Sequence, residues 1–309
     1  MTVRSIVVVT AVMCSLGTDV HAGESCFVPM PKSITPGHGS MELGSRIVAA
    51  TPELRPLAEV VVEEILLLTG KKLAVEEGGS SRPGDVWLEI TPARKDGSGK
   101  GLKEDQSYLL EVNDTVRVRG GSYAAVAYGT VTLLQSLEAK DPTATLNRCV
   151  VKDEPSTAYR GLMVDVARKP HSIATLQRCI QLCRWYKIRY PPHWMADDGY
   201  SVINCSATPL YVVSGWHHPD LKVIHQWNHR RFDWVDSAWK TPIELPPSAP
   251  VLGAQMCSWD QAEDQELPSL RQRLAVVSER LWNPDFDNGF NDLSARLRVT
   301  DTKLTTLLE

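Results

Sequence analysis

Midway along the chain, Gly161-Leu162-Met163-Val164-Asp165-Val166-Ala167 forms an almost uninterrupted apolar run. A strand with one wet face alternates apolar and polar residues, whereas a parallel strand covered on both faces does not need to. The sequence after it agrees. Ser172 is placed to cap a helix with apolar positions Ile173, Leu176, Cys179, Ile180 and Cys183, and Ile188 and Tyr190 begin a second strand. Strand, helix, strand is the repeating unit of a (β/α)8 barrel. From Pro155 onward about 155 of the 309 residues remain, whereas a complete barrel takes roughly 250 and rarely fewer than about 200. The alternatives are a smaller fold or a barrel with strands missing. Residues 200–260 are rich in Pro and Trp and read as mostly loop, and Ser269 is placed to cap a last amphipathic helix through Leu270, Leu274, Val277 and Leu281.

Ahead of a boundary near Asp153-Glu154-Pro155 the pattern is different. Pro29, Pro31 and Pro36 with Gly37 and Gly39 mark an irregular lead-in. A helix follows, with Thr51 as its cap, Pro52 at its first position and Gly70 just past its end. Its stripe is Leu54, Leu57, Ala58, Val61, Val62, Ile65 and Leu68. Residues 85–90 read as a strand, 108–112 and 116–118 as a hairpin about Asn113-Asp114, and Ser122 as the cap of a second helix to about Leu137. That is a small sheet with helices on one face, an α+β layer. It gathers no His, Cys or carboxylates, so its expected role is structural. Asp153-Glu154 reads as an exposed acidic turn.

Arg4, the apolar run from Ile6 to Leu16 and the small residues Val20 and Ala22 make residues 1–22 a signal peptide, too short to span a bilayer. Export to the periplasm or the exterior is the expectation. The remaining organisation is an α+β domain over 23–150 and a barrel-type domain over 151–309. A net charge of −4 with scattered Lys and Arg gives no reason to expect nucleic acid or an anionic membrane as a partner. Of seven cysteines, none shows the spacing of a disulfide scaffold, and Cys179 and Cys183 fit a helix interior. The rest leave room for one or two disulfides without naming a pair. His217, His218, His225 and His229 lack a Cys or acid at ligand spacing, so no metal is expected. Gly120-Gly121 has no phosphate-loop context, and no cofactor is expected. Asn113-Asp114-Thr115 and Asn204-Cys205-Ser206 fit the N-glycosylation pattern.

Tyr159 to Arg168, Lys187 to Tyr190, Met195 to Asp198, Ile203-Asn204, Pro209 to Val212, Leu252 to Trp259 and Ser278 to Trp282, in that order, together resemble glycoside hydrolase family 20, the β-N-acetylhexosaminidases. Residues Tyr159-Arg160-Gly161 through Asp165-Val166-Ala167-Arg168 are similar to that family's first barrel strand, and Lys187-Ile188-Arg189-Tyr190 with Met195-Ala196-Asp197-Asp198 to its second. Ile203-Asn204 with Pro209-Leu210-Tyr211-Val212 resembles the seventh, Leu252 to Trp259 the eighth, and Ser278-Glu279-Arg280-Leu281-Trp282 the closing helix. The unit up to Glu138 resembles the small α+β domain preceding the barrel. The resemblance implies an α+β domain followed by an incomplete (β/α)8 TIM-type barrel lacking roughly strands three to six. Tyr200 follows Asp198 after one Gly, so the junction near Gly199 reads as an internal deletion, in the gene or in its record.

The family removes terminal N-acetyl-hexosamine, GlcNAc or GalNAc, from glycans and glycoconjugates. The substrate's acetamido oxygen attacks the anomeric carbon, an Asp orients the acetamido group, and the adjacent Glu serves as acid and then base. Those acids sit in a His-x-Gly-Gly-Asp-Glu segment, which is absent here; the lone consecutive pair, Asp153-Glu154, precedes the first strand. Catalytic residues are therefore not assigned, and the chain as given is expected to be inactive. The resemblance assigns sugar binding to Arg160 (a forked donor to the C3 and C4 hydroxyls), Tyr211 (donor to the acetamido oxygen), Trp259 (a wall against the sugar's apolar face) and Asp198 (support for the acid-base network). Val213 stands where the family has an Asp, and Gln261 where many members have a Glu. A half-barrel also leaves sheet edges and an apolar inner face exposed, which favours association, though the oligomeric state is not fixed by the sequence.

Overall fold

The computed structural model describes residues 27–91, 105–140, 143–164, 171–188, 202–233, 243–245, 247, 251–285 and 289–308. The signal peptide, the run Asp165–Arg168, Tyr190 and Asp198 lie outside the described residues. In chain order the first half runs β1 (Ser33–Glu42), β2 (Arg46–Ala49), α1 (Arg55–Thr69), β3 (Ala74–Glu77), β4 (Val86–Ile90), β5 (Tyr108–Val112), β6 (Val116–Gly120), α2 (Tyr123–Ser136), β7 (Glu138–Lys140) and β8 (Thr143–Asp153). The strands form one mixed sheet in the order β1-β8-β5-β6-β4-β2-β3, with β7 also on β8. Alternation sets its two faces. Val86, Leu88, Leu110, Val112, Val116 and Val118 are fully buried, and α1 and α2 pack over this sheet. At Gly129 of α2 an added Cβ would stand 2.5 Å from Val118 Cγ1, so helix and strand approach more closely than any side chain allows.

The helix, the hairpin and the Ser122 cap fall where the sequence places them. Thr51 does not cap: Pro52–Leu54 is a 3-10 turn, and Thr51 makes no side-chain capping bond. Gly70 closes α1 at φ +72°. The irregular lead-in is instead β1, an exposed edge strand paired antiparallel to β8 and broken between Pro36 and Ser40.

The second half runs β9 (Tyr159–Val164), α3 (Ile173–Trp185), β10 (Val202–Asn204), α4 (Ala207–Leu210), β11 (Tyr211–Val213), α5 (Leu221–Gln226), β12 (Arg231–Phe232), β13 (Ile243–Glu244), β14 (Val251–Trp259), α6 (Glu263–Trp282) and α7 (Gly289–Leu308). Among the described residues of 200–260, helix and strand therefore outweigh loop. β14 is a nine-residue strand at the centre of a parallel sheet. β9 pairs along Gly253–Ser258, so β10 at Val251–Ala254 and β11 at Cys257–Trp259 share the opposite edge. The helix expected to be last starts earlier and is followed by α7: Ser269 sits inside α6 and donates to Glu266 O at 2.8 Å. Glu263, Asp264 and Glu266 supply the acidic first turn that marks the true start. Ser172 does cap α3, accepting from Thr175 N–H, but the buried stripe is Thr175, Cys179, Leu182, Cys183 and Trp185. Ile173 and Ile180 are 75% and 46% exposed. Among the described residues no helix is long and apolar enough to cross a membrane.

The acidic turn expected at Asp153 is a buried hub. Its carboxylate is fully buried and accepts from Tyr108 Oη (2.6 Å), Trp282 Nε1 (2.8 Å), Glu154 N (3.0 Å), Lys32 N (3.1 Å) and Lys187 Nζ (3.3 Å). Only Glu154 faces solvent, its side chain 61% exposed. The two halves meet here, because Tyr108 lies in the first sheet, Lys187 follows α3 and Trp282 ends α6.

Candidate functional site

The parallel sheet has one buried face and one half-covered face, and strict alternation assigns side chains to each. Arg160, Leu162, Val212, Ala254, Met256 and Ser258 are buried, the last three on the strand against which α6 packs. Tyr159, Met163, Tyr211, Val213, Gln255 and Trp259 are only partly buried, and with Cys257 they form the other face. Register draws them together: Tyr211 is opposite Cys257 and Val213 opposite Trp259, while Cys257 is opposite Met163 on the other edge.

Contacts on this face are specific. The Tyr211 and Trp259 rings lie 6.1 Å apart, tilted by 45°. Tyr159 Oη donates to Gln255 Oε1 at 2.5 Å. A Cβ on Gly161 would meet that tyrosine at 2.5 Å, so glycine is what lets the Tyr159 ring lie across the strand. Burial raises both tyrosine hydroxyls above their ordinary range, which keeps them protonated as donors at neutral pH. Just past β14, Gln261 is 2% exposed, and among the described residues neither its Oε1 nor its Nε2 has a hydrogen-bond partner. A buried amide in that condition has room for one more polar group.

The rim of the face is held by Asn204, which is fully buried. It donates to His229 O and Arg231 O, both at 2.9 Å, and accepts from Ser206 N and Oγ at 2.9 and 2.6 Å. Asn204 is therefore committed internally, and in the folded chain it cannot serve as the glycan acceptor its motif offered. His225 packs edge-on to Phe290 at 5.7 Å, and among the described residues no three His, Cys, Asp or Glu converge as a metal site.

His229 itself supplies a pH test. Burial first, then Arg230 and Arg280, lower its pKa to about 4 from an ordinary 6.5. The unfolded chain then binds a proton more readily, so its stabilising contribution is complete above about pH 6.5 and is lost as pH falls toward 4. The expected result is that Tm falls more steeply for wild type than for His229→Gln across that window, measured by circular dichroism. Parallel curves would refute it.

Of the four residues assigned to sugar binding, the structure brings two together, Tyr211 and Trp259. Asp198 is outside the described residues. Arg160 is a correction: it is fully buried, at the N-terminal end of β9, with its guanidinium directed between the two halves of the chain. It donates to Thr157 O (2.6 Å), Gln106 Oε1 (2.8 Å), Lys187 O (3.2 Å) and Tyr128 Oη (3.2 Å), and lies 4.8 Å from the Trp282 ring centroid. The reason is alternation, since Arg160 shares its face with Leu162, opposite to Tyr159. The sequence reading also missed Tyr159 and Gln255. Their signal was present in the even spacing of Gln255, Cys257 and Trp259, once that segment is read as a strand.

The aromatic pair, the Tyr211 hydroxyl and the Gln255 amide make a surface that can stack an apolar ring face and bond its polar edge. At the strand positions of this face, among the described residues, there is no carboxylate.

Residues 25–154 match the family described as glycosyl hydrolase family 20, domain 2. A β-hexosaminidase of Porphyromonas gingivalis is 26% identical over 185 residues, covering 57% of this chain and 23% of that protein. A β-N-acetylhexosaminidase of Cellulomonas fimi is 28% identical, covering 49% of this chain and 30% of its own length. The chain thus spans less than a third of these relatives. The solved GH20 β-N-acetylhexosaminidase of Streptomyces coelicolor A3(2) aligns with 82% of this chain and 44% of its own, at 18% identity and a TM-score of 0.47. That likeness is too loose to locate site residues.

Proposed function

The chain is a relative of the glycoside hydrolase family 20 hexosaminidases, and from that premise we propose that it binds a terminal N-acetyl-hexosamine without cleaving it. The binding surface in this reading is the half-covered face of β9, β14 and β11, with Trp259 against the sugar's apolar face, Tyr211 donating to the acetamido oxygen and Gln261 to a ring hydroxyl. The observation that carries it is the tilted Tyr211–Trp259 pair at 6.1 Å on that face. The three parallel partners of β14 support a barrel arc made of first, eighth and seventh strands, with the middle strands lacking. The absent His-x-Gly-Gly-Asp-Glu segment removes the acid-base pair, and export follows from the N-terminal run.

Saturation-transfer NMR with free GlcNAc and GalNAc tests it, beside release of chromophore from an aryl N-acetyl-glucosaminide. Binding should be seen, reduced at least about tenfold in Trp259→Ala, with no release above a blank. Turnover well above the blank, or binding indifferent to Trp259, ends the proposal. A second reading is favoured by one feature, the Asp198-Gly199-Tyr200 junction, where a second-strand block meets a seventh-strand block. On that reading the complete protein is an active enzyme. Sequencing the locus across codon 199 decides it, since about 95 further residues are needed to bring the second half to the roughly 250 of a complete barrel.

A further inference from the structure

We propose that Cys205 and Cys257 are a paired thiol site that small oxidised disulfides convert to an intramolecular disulfide, fixing the turn after β10 to β14 beside Tyr211. The placement comes from the sheet. Asn204 is in register with Ala254 at the end of β10, so Cys205 follows at the gap between β10 and β11, on the edge of β14 they share. Cys257 is opposite Tyr211 across that same edge, with its side chain on the half-covered face. The two thiols act on one another electrostatically. Both act electrostatically on the Tyr211 and Tyr159 hydroxyls.

Exposure divides their roles. Cys205 is partly exposed while Cys257 is buried, so an incoming disulfide reaches Cys205 first. The interaction with Cys257 also favours the Cys205 thiolate, lowering its pKa, while Cys257 is pushed up. Elsewhere, burial raises Cys149 and Cys183 and takes Cys179 up to about 12, which leaves those thiols poor nucleophiles. In the reaction, the Cys205 thiolate attacks one sulfur of a low-molecular-weight disulfide such as oxidised glutathione, releasing one glutathione thiolate. Cys257 then loses its proton and attacks Cys205 Sγ, expelling the second. The two electrons leaving the protein reduce the glutathione disulfide to two thiols, and the balance is complete.

The test treats the folded chain with oxidised glutathione, blocks remaining thiols with an alkylating reagent, digests without reductant and maps peptides by mass spectrometry. The expected product is a 205–257 cross-linked peptide, with two fewer alkylated cysteines than in the untreated protein. Cys257→Ser should stop at a glutathione adduct on Cys205, and Cys205→Ser should form neither product. A wild-type reaction that halts at the Cys205 adduct, no reaction, or a cross-link from either residue to another cysteine overturns the proposal. The readout is independent of sugar binding, so it stands or falls apart from the proposed function.

Discussion

Asp153→Ala is expected to lower unfolding free energy by on the order of 4 kcal/mol, the range seen when one member of a buried ion pair is removed. The size follows from what the carboxylate serves. Five donors converge on it, three on Oδ1 and two on Oδ2, and the three side-chain donors cannot turn to water, because Tyr108, Trp282 and Lys187 are themselves buried. Removing the acceptor leaves Lys187 as an uncompensated ammonium. Burial already pushes that amine below its ordinary pKa, against the pull of Asp153. Lys187→Met should cost less, about 2 kcal/mol, since the carboxylate keeps four donors. A second term works in the same direction. Lys187 has φ +54° at the end of α3, where its N–H bonds Arg184 O at 3.0 Å and Ile188 N–H bonds Cys183 O at 2.8 Å. That is a Schellman-type ending, a position where glycine is usual. A lysine there stores backbone strain, tolerated because its ammonium reaches both Asp153 and Tyr108 Oη, the latter at 2.7 Å. Urea melts of both variants and of the double mutant check this. The double mutant should lose less than the sum of the singles. Equal losses, or a larger loss in Lys187→Met, would show that the hub is not organised around the carboxylate.

These residues mark where sequence reasoning reaches its limit. Periodicity made α1 legible, because Leu57, Ala58, Val61 and Ile65 fall on one side of a helix whatever packs there. Local chemistry made the caps legible, since a serine bonding the amide three residues on needs no distant partner, as Ser122 and Ser172 do. β1 was not legible: it is an exposed edge strand interrupted by Pro36 and Gly37, and only its pairing to β8, over a hundred residues away, makes it a strand. Asp153 failed for the same reason. An Asp-Glu dipeptide before a proline is ordinarily wet, and nothing local announces a lysine, a tyrosine and a tryptophan arriving from three other elements. In the candidate site, Tyr211 and Trp259 came from motif resemblance, and the structure places them in one another's company. Motif resemblance misled at Arg160 because it carried over a residue type without asking which face, and which end, of the strand presents it.

Arg160→Met follows from that correction, and its expected effect is again on the order of 4 kcal/mol. Among the described residues the guanidinium donates to four acceptors, each of which would be left buried and short of a partner at about 1 kcal/mol or more apiece. Its plane also faces Trp282, whose ring centroid stands 4.8 Å from Arg160 and 4.7 Å from the Lys187 ammonium, so its loss unsettles the contact that Asp153 anchors. Methionine keeps much of the volume and none of the bonds, which isolates the polar part of the cost. A sugar-gripping arginine would behave otherwise: its removal would leave the urea midpoint nearly unchanged and abolish the GlcNAc signal. The expected outcome is the reverse, a large fall in midpoint with GlcNAc binding per folded molecule retained, beside Trp259→Ala, which should shift the midpoint little and weaken binding. Measuring both variants in both assays separates the two roles. If Arg160→Met melts like wild type yet no longer binds GlcNAc, the buried position of that guanidinium does not represent the folded chain, and the sugar site must be redrawn around β9's N-terminal end.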